Sequence, residues 1–195
     1  MRGFQPNDPE SQAIISGETV ERTMSQRDAS PVIRTYLWQA FNPLEPDPER
    51  ILIDDIARSL SNLCRYNGHV REFYSVAEHS YWVSLDVPPK DALWGLLHDA
   101  SEAYLGDMMS PLKYHTALGE QYRQIEAGVM RAVCVRFSLP PTMPPSVARA
   151  DHAQLQREHD WLRSAQPKRR RNESRAMTNA EAELEFLNRF RELTA

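Results

Sequence analysis

At 195 residues the chain is long enough for one domain with a sizeable buried core. Its composition, 26% charged and 41% hydrophobic, is that of an ordinary globular protein, and a net charge of -4 argues against a general nucleic-acid binder. No apolar run approaches a membrane span and no apolar signal core opens the chain. Cys64 and Cys134 lack metal-type spacing, so a cytoplasmic protein with two buried thiols and no membrane association is expected.

Residues 1–30 are polar, with Pro6, Pro9 and Gly17 and no sustained apolar period, and read as a mobile N-terminal arm ahead of a single domain over 31–195. Residues 32–53 are rich in β-branched and aromatic side chains and suggest two short extended pieces around a proline-rich turn at 43–48. Asp54 is placed to cap a helix over about 55–65 with Ile56, Leu60 and Leu63 as its apolar stripe. After the break at Gly68, a helix is expected over 76–85, ended by Pro88-Pro89. Another should begin at Asp91 and carry Leu93, Trp94, Leu96 and Leu97 straight into His98-Asp99.

A long amphipathic helix is expected over 118–137, with Ile125, Val129, Ala132 and Val133 inward. Beyond the prolines at 140–145 lies a helix over 147–163 that contains Asp151. An exposed basic loop, Lys168-Arg169-Arg170-Arg171, follows. Thr178 caps a last helix with Leu184, Phe186, Leu187 and Phe190 buried. The sum is a mostly α-helical protein.

The chemistry concentrates in Leu96-Leu97-His98-Asp99-Ala100-Ser101-Glu102-Ala103-Tyr104-Leu105-Gly106-Asp107. His98 and Asp99 can both ligate a divalent metal. Glu102 lies four residues after His98, one α-helical turn on and on the same face. Asp107 follows Gly106, where a helix would stop. His79 opens the preceding helix, and a hairpin of two antiparallel helices brings positions 79 and 98 to one end. Asp151 sits among small residues that allow close helix packing. Two imidazoles and two carboxylates make a mixed nitrogen and oxygen site suited to a first-row divalent ion. His115, His152 and His159 lack such neighbours and read as surface or packing residues.

In this order, His79, His98-Asp99 and Asp151 resemble the metal-binding signature of the HD-domain phosphohydrolase superfamily, and its small nucleotidase-type members in particular. Those members share Ala77-Glu78-His79-Ser80, the run His98 to Glu102, and Gly106-Asp107 followed by Pro111 and Lys113, with an arginine–aromatic pair upstream, here Arg65-Tyr66. The nucleotidases usually carry tryptophan where this chain has Tyr66, and the His79–His98 spacing is short for the superfamily. The stretch from Cys64 to His79 is most similar to a branch common in bacteriophages. That branch includes dATP triphosphohydrolases that clear dATP where 2-aminoadenine replaces adenine in the genome.

The resemblance implies an all-α HD-domain helical bundle with at most a small β element near the N-terminus, a small-molecule deoxynucleotide substrate, and a homo-oligomer. It implies a divalent metal ion (cobalt, manganese, magnesium or zinc) held by His79, His98, Asp99 and Asp151. Glu102 would orient or deprotonate the attacking water, or bind a second metal. Asp107 would be a second acid–base group or a further ligand. Arg65 and Lys113 would neutralise phosphate charge, with His69 and Arg71 as further contacts. Tyr66 and Trp38 are candidates to stack on a base, with core packing the simpler role for both. The expected reaction is release of triphosphate from dATP. The alternatives are a 5'-nucleotidase acting on deoxynucleoside monophosphates and a non-catalytic HD-fold binding module.

Overall fold

The computed structural model describes residues 31–163 and 175–195; the expected arm over 1–30 and the basic run at 168–171 lie outside them. Two antiparallel strands, β1 (Ile33–Arg34) and β2 (Ala40–Phe41), pair Ile33 with Phe41 and Arg34 with Ala40. The chain reverses at 35–39, not in the proline-rich segment as expected. The Thr35 N–H donates to the Gln39 carbonyl, and Trp38 takes a positive φ of 60°. Pro43, Pro46 and Pro48 have no N–H to give a ladder, so the segment they occupy runs outside the sheet into a short 3-10 turn, Pro48–Arg50. Trp38 sits near the hairpin tip and is 77% exposed, which corrects its reading as a core residue.

Helix α1 (Ile53–Asn62) starts two residues earlier and ends three earlier than its sequence suggests. Its cap is Leu52, not Asp54, and Asp55 is buried because its carboxylate accepts the Leu37 N–H at 2.7 Å, tying the hairpin to the helix. The chain stops being helical at Leu63 because residues 63–65 pair with 74–76. Arg65 donates its N–H to the Tyr74 carbonyl and Val76 donates to that of Leu63. Arg65 thus leaves the end of a helix and opens a tight turn, Arg65–Gly68.

Helix α2 (Val76–Leu85) is capped by the Ser75 hydroxyl, which accepts the Glu78 N–H at 3.0 Å. It packs closely on α3 (Ala92–Leu97) because Gly95 lacks a side chain: a Cβ there would lie 3.1 Å from the Ser84 Cα. After Leu97 the chain does not continue as an α-helix. It tightens into i→i+3 hydrogen bonds from Ala100, Glu102, Ala103 and Tyr104 before a short helix α4 (Glu102–Leu105), which Gly106 ends at φ 81°.

Helices α5 (Ser110–His115) and α6 (Ala117–Arg136) form a corner, and α7 (Pro145–Arg163) begins with proline in its first turn. The last helix, α8 (Asn179–Thr194), has a full capping box between Thr178 and Glu181. Phe186 is fully buried while Leu184 is 54% exposed, so Leu184 leaves the buried side assigned to it. The main core joins Phe41, Ile56, Leu60, Val76, Leu96, Leu97, Val129, Val133 and Phe186. The described residues form an all-α bundle carrying a minimal β-hairpin. Among the described residues no helix is long and apolar enough to cross a membrane.

Candidate active site

The hairpin of α2 and α3 places His79, in the first turn of α2, beside His98, just past the end of α3; their rings lie 5.3 Å apart. Helix α7 packs on both and brings in Asp151. The Asp151 Oδ1 lies 3.1 Å from His79 Nε2 and 3.9 Å from His98 Nε2. The Asp99 Oδ2 lies 3.2 Å from His98 Nε2 and 3.8 Å from His79 Nε2. Ligand atoms of His79, His98 and Asp151 all fall within 4.8 Å of one another.

Both imidazoles are oriented from behind. His79 Nδ1 faces Glu158 Oε1 at 2.7 Å, and His98 Nδ1 faces the Gly95 carbonyl at 2.8 Å. With acceptors at Nδ1, the proton of each neutral ring sits there and Nε2 keeps its lone pair. Those two Nε2 atoms are buried and have no hydrogen-bond partner, although carboxylate oxygens surround them. A divalent cation set between these lone pairs and the carboxylates would satisfy both, so the residues fit a metal. The carboxylates make this a pocket that favours positive charge. Burial pulls the His98 imidazolium down, but Asp99, Asp151 and the Gly95 carbonyl outweigh it and push its pKa up to about 9. Asp99 is held well below the usual carboxylate range, as burial is outweighed by His98, His79 and Arg65. Asp151 is lowered by its contacts with His79 and His98 against the effect of its burial.

Glu102 is buried, with Oε2 unpaired. Burial first, then the charges of Asp99 and Asp107, push its pKa well above the usual range. Asp107 is also raised, chiefly by burial. In the tightened turn Glu102 stands three residues after Asp99 at about three residues per turn, so it shares a face with Asp99 and not, as expected, with His98.

The cations are engaged. Arg65 reaches Glu158 through Nε at 3.1 Å and Asp99 through one terminal nitrogen at 3.8 Å. Lys113 pairs with Glu126 at 2.7 Å and lies over the Tyr122 ring, facing the region of Glu102. His69, at the end of the 65–68 turn, and Arg71 are exposed. Tyr66 is half-buried in a left-handed conformation at φ 57°, its hydroxyl donating to Glu158 Oε2 at 2.6 Å and its ring against His159. A cavity of about 220 Å³, lined by Asn67, Leu105, Asp107, Met108, Met109 and Tyr122 among others, opens beside Asp107.

Glu158 escapes sequence reasoning. It stands in Arg157-Glu158-His159-Asp160, a charged run that reads as a solvated helix face. The available signal is its spacing: seven residues after Asp151, it falls on the same face of α7 two turns on.

A family model, the YfbR-like 5'-deoxynucleotidases, matches residues 68–161. The uncharacterized protein YfdR of Escherichia coli is 39% identical over 126 residues, which cover 65% of this chain and 69% of that protein. An uncharacterized protein of Rhodobacter capsulatus is 39% identical over 116 residues, 55% of this chain and 58% of its own length. A 5'-deoxynucleotidase of Photobacterium profundum is 34% identical over 73 residues, 37% of this chain and 34% of that protein. The matched segment runs from the turn after Arg65 to the end of the face that holds Asp151 and Glu158. It therefore spans the two histidines, the acidic turn and the third metal-facing element together. The chain belongs to the YfbR-like family of the HD-domain superfamily, and is with it a metal-dependent nucleotide phosphohydrolase.

Proposed function

We propose that the protein is a 5'-deoxynucleotidase, hydrolysing deoxynucleoside monophosphates to deoxynucleosides and inorganic phosphate. The observation that carries this reading is the charge balance around the histidines. Arg65 and Lys113 face Asp99, Asp151, Glu102, Asp107, Glu158 and Glu126, and both cations are already paired. One divalent ion added to such a surround suits a single phosphate dianion. A triphosphate needs free cations along its length, and the two further candidates, His69 and Arg71, stand exposed on a loop. The described cations therefore favour a monophosphate over the triphosphate of dATP. The family match and the 5'-deoxynucleotidase relative support the monophosphate.

In this reading His79, His98, Asp99 and Asp151 hold the metal. A divalent ion there supplies the positive charge that acidifies a water and polarises the phosphoryl group. Arg65, fixed by Glu158, turns its remaining guanidinium N–H groups toward the phosphate oxygens. The water oxygen forms the new P–O bond as the bond from phosphorus to the 5'-oxygen breaks. Glu102, whose surroundings favour the protonated carboxyl, moves the proton that the leaving 5'-oxygen needs. Asp107 shares that proton traffic at the mouth of the cavity, and the cavity itself receives the nucleoside. Tyr66, pinned by its hydroxyl, packs against the sugar where a ribose 2'-hydroxyl would sit.

The test is a product assay. Each dNMP, each NMP and dATP is incubated with the protein and Mn²⁺, Co²⁺ or Mg²⁺, and the products are resolved. Inorganic phosphate released from dNMPs faster than from NMPs is expected. Intact triphosphate from dATP, with dAMP untouched, would overturn the proposal and restore the triphosphohydrolase.

A further inference from the structure

Glu158 is 3% exposed, and four donors converge on its two oxygens. Oε2 accepts from Arg65 Nε at 3.1 Å and from the Tyr66 hydroxyl at 2.6 Å. Oε1 accepts from the Tyr74 hydroxyl at 3.0 Å and from His79 Nδ1 at 2.7 Å. A second polar residue of α7, Gln154, donates to the Tyr74 hydroxyl at 3.2 Å and holds that donor in place. Helix α7 thus presents one carboxylate, Asp151, to the front of the His79 ring and another, Glu158, to its back.

We infer that Glu158 is the positioning residue of the site. It fixes the tautomer of His79 for metal binding and, through the same carboxylate, locks Arg65 and Tyr66 where the substrate arrives. This rests on the reading of His79, His98, Asp99 and Asp151 as the metal ligands. The chemistry is specific to a carboxylate. An amide offers one acceptor oxygen in place of two. Arg65 is a permanent donor, so in Glu158→Gln the amide oxygen turns to Arg65 and the NH₂ group turns to His79. His79 then accepts at Nδ1 and carries its proton on Nε2, pointing at Asp151, where a metal can no longer bind.

The experiment titrates the whole protein with Mn²⁺, following free Mn²⁺ by electron paramagnetic resonance, for wild type, Glu158→Gln, Glu158→Asp and Asp99→Ala, each checked for folding by thermal denaturation. Folded Glu158→Gln is expected to bind Mn²⁺ about 10–100-fold more weakly, the usual cost of losing a partner behind a metal-ligating histidine. A merely structural role would lower the melting temperature and leave the affinity of the folded protein within about threefold of wild type, which would overturn the inference. If Glu158→Gln does not fold, Glu158→Asp decides. It keeps the charge but withdraws it by one methylene from His79, and undiminished Mn²⁺ affinity in that variant overturns the inference equally. Wild type that takes up no Mn²⁺, or Asp99→Ala that binds as well as wild type, removes the metal site itself and this inference with it. Intact wild-type binding beside unchanged Glu158 variants removes the inference alone.

Discussion

The Tyr66→Phe substitution removes one atom from the centre of this arrangement. The hydroxyl lies 2.6 Å from Glu158 Oε2, and a hydrogen bond to a charged acceptor contributes about 1.5–3 kcal/mol. Tyr66 is only half-buried, so water takes up part of the vacancy, and Arg65, Tyr74 and His79 still serve the carboxylate. The loss is therefore about 1–2 kcal/mol, which for a chain of this size lowers the melting temperature by about 2–8 °C. The same bond holds an aromatic residue at φ 57°, beside Asn67 at 51° and Gly68 at 78°. Non-glycine residues in that region cost of order 1–3 kcal/mol each, so the released turn relaxes and the Tyr66 ring loses its fixed position. The preference for deoxyribose should fall with it, by up to about tenfold if some 1.4 kcal/mol of the clamp appears in discrimination. The assay is phosphate release from dAMP and AMP at matched metal concentration, alongside calorimetry. A variant with an unchanged melting temperature and an unchanged dAMP-to-AMP ratio would refute both the clamp and the assignment of Tyr66 to the sugar.

Asp99→Ala should lose bound metal and turnover together, measured by metal content after dialysis and by phosphate release; retained turnover would sink the metal mechanism. Glu102→Ala should keep the fold and much of the metal while losing about 10²–10⁴-fold in kcat, the usual contribution of a general acid–base group, and a variant within a few-fold of wild type removes Glu102 from the mechanism. Acid stability should depend on Glu158. Its pKa is held well below the ordinary value, since His79 and Arg65 outweigh the effect of burial, so the unfolded chain binds the proton first as pH falls. Its stabilisation is complete at neutral pH and drains away below about pH 5, and denaturant melts between pH 3 and 7 should show a shallower acid limb in Glu158→Gln.

Much of this was legible in the residues because it is local. Ser75 and Thr178 are caps with the right residue three positions on, and the helices they open begin where expected. His79, His98 and Asp151 meet because a short helical hairpin and one later helix suffice to join them. What was not legible depends on packing across the chain. No Gly or Pro interrupts residues 96–105, so nothing local announces that α3 stops at Leu97. The pairing of 63–65 with 74–76 joins backbone about ten residues apart, and it is what takes Arg65 out of a helix. Lys113 and Glu126 lie on different helices of a corner, so the neutralisation of that lysine is invisible to spacing. Glu158 looks like surface until α7 is laid on α2.

The break after α3 also separates two chemical roles that a straight helix would merge. In an α-helix Glu102 would stand over His98 and compete to become a further ligand. In the tightened turn it stands over Asp99 instead, and burial together with that neighbouring charge and that of Asp107 disfavours the carboxylate form. A ligand must be deprotonated, whereas a group that serves a leaving oxygen must hold a proton. Changing the hydrogen-bond register from i→i+4 to i→i+3 over a few residues thus supports the proposed division of labour, with Asp99 facing the metal and Glu102 carrying the proton. Both come from one four-residue stretch, Asp99 to Glu102, whose composition alone does not distinguish them.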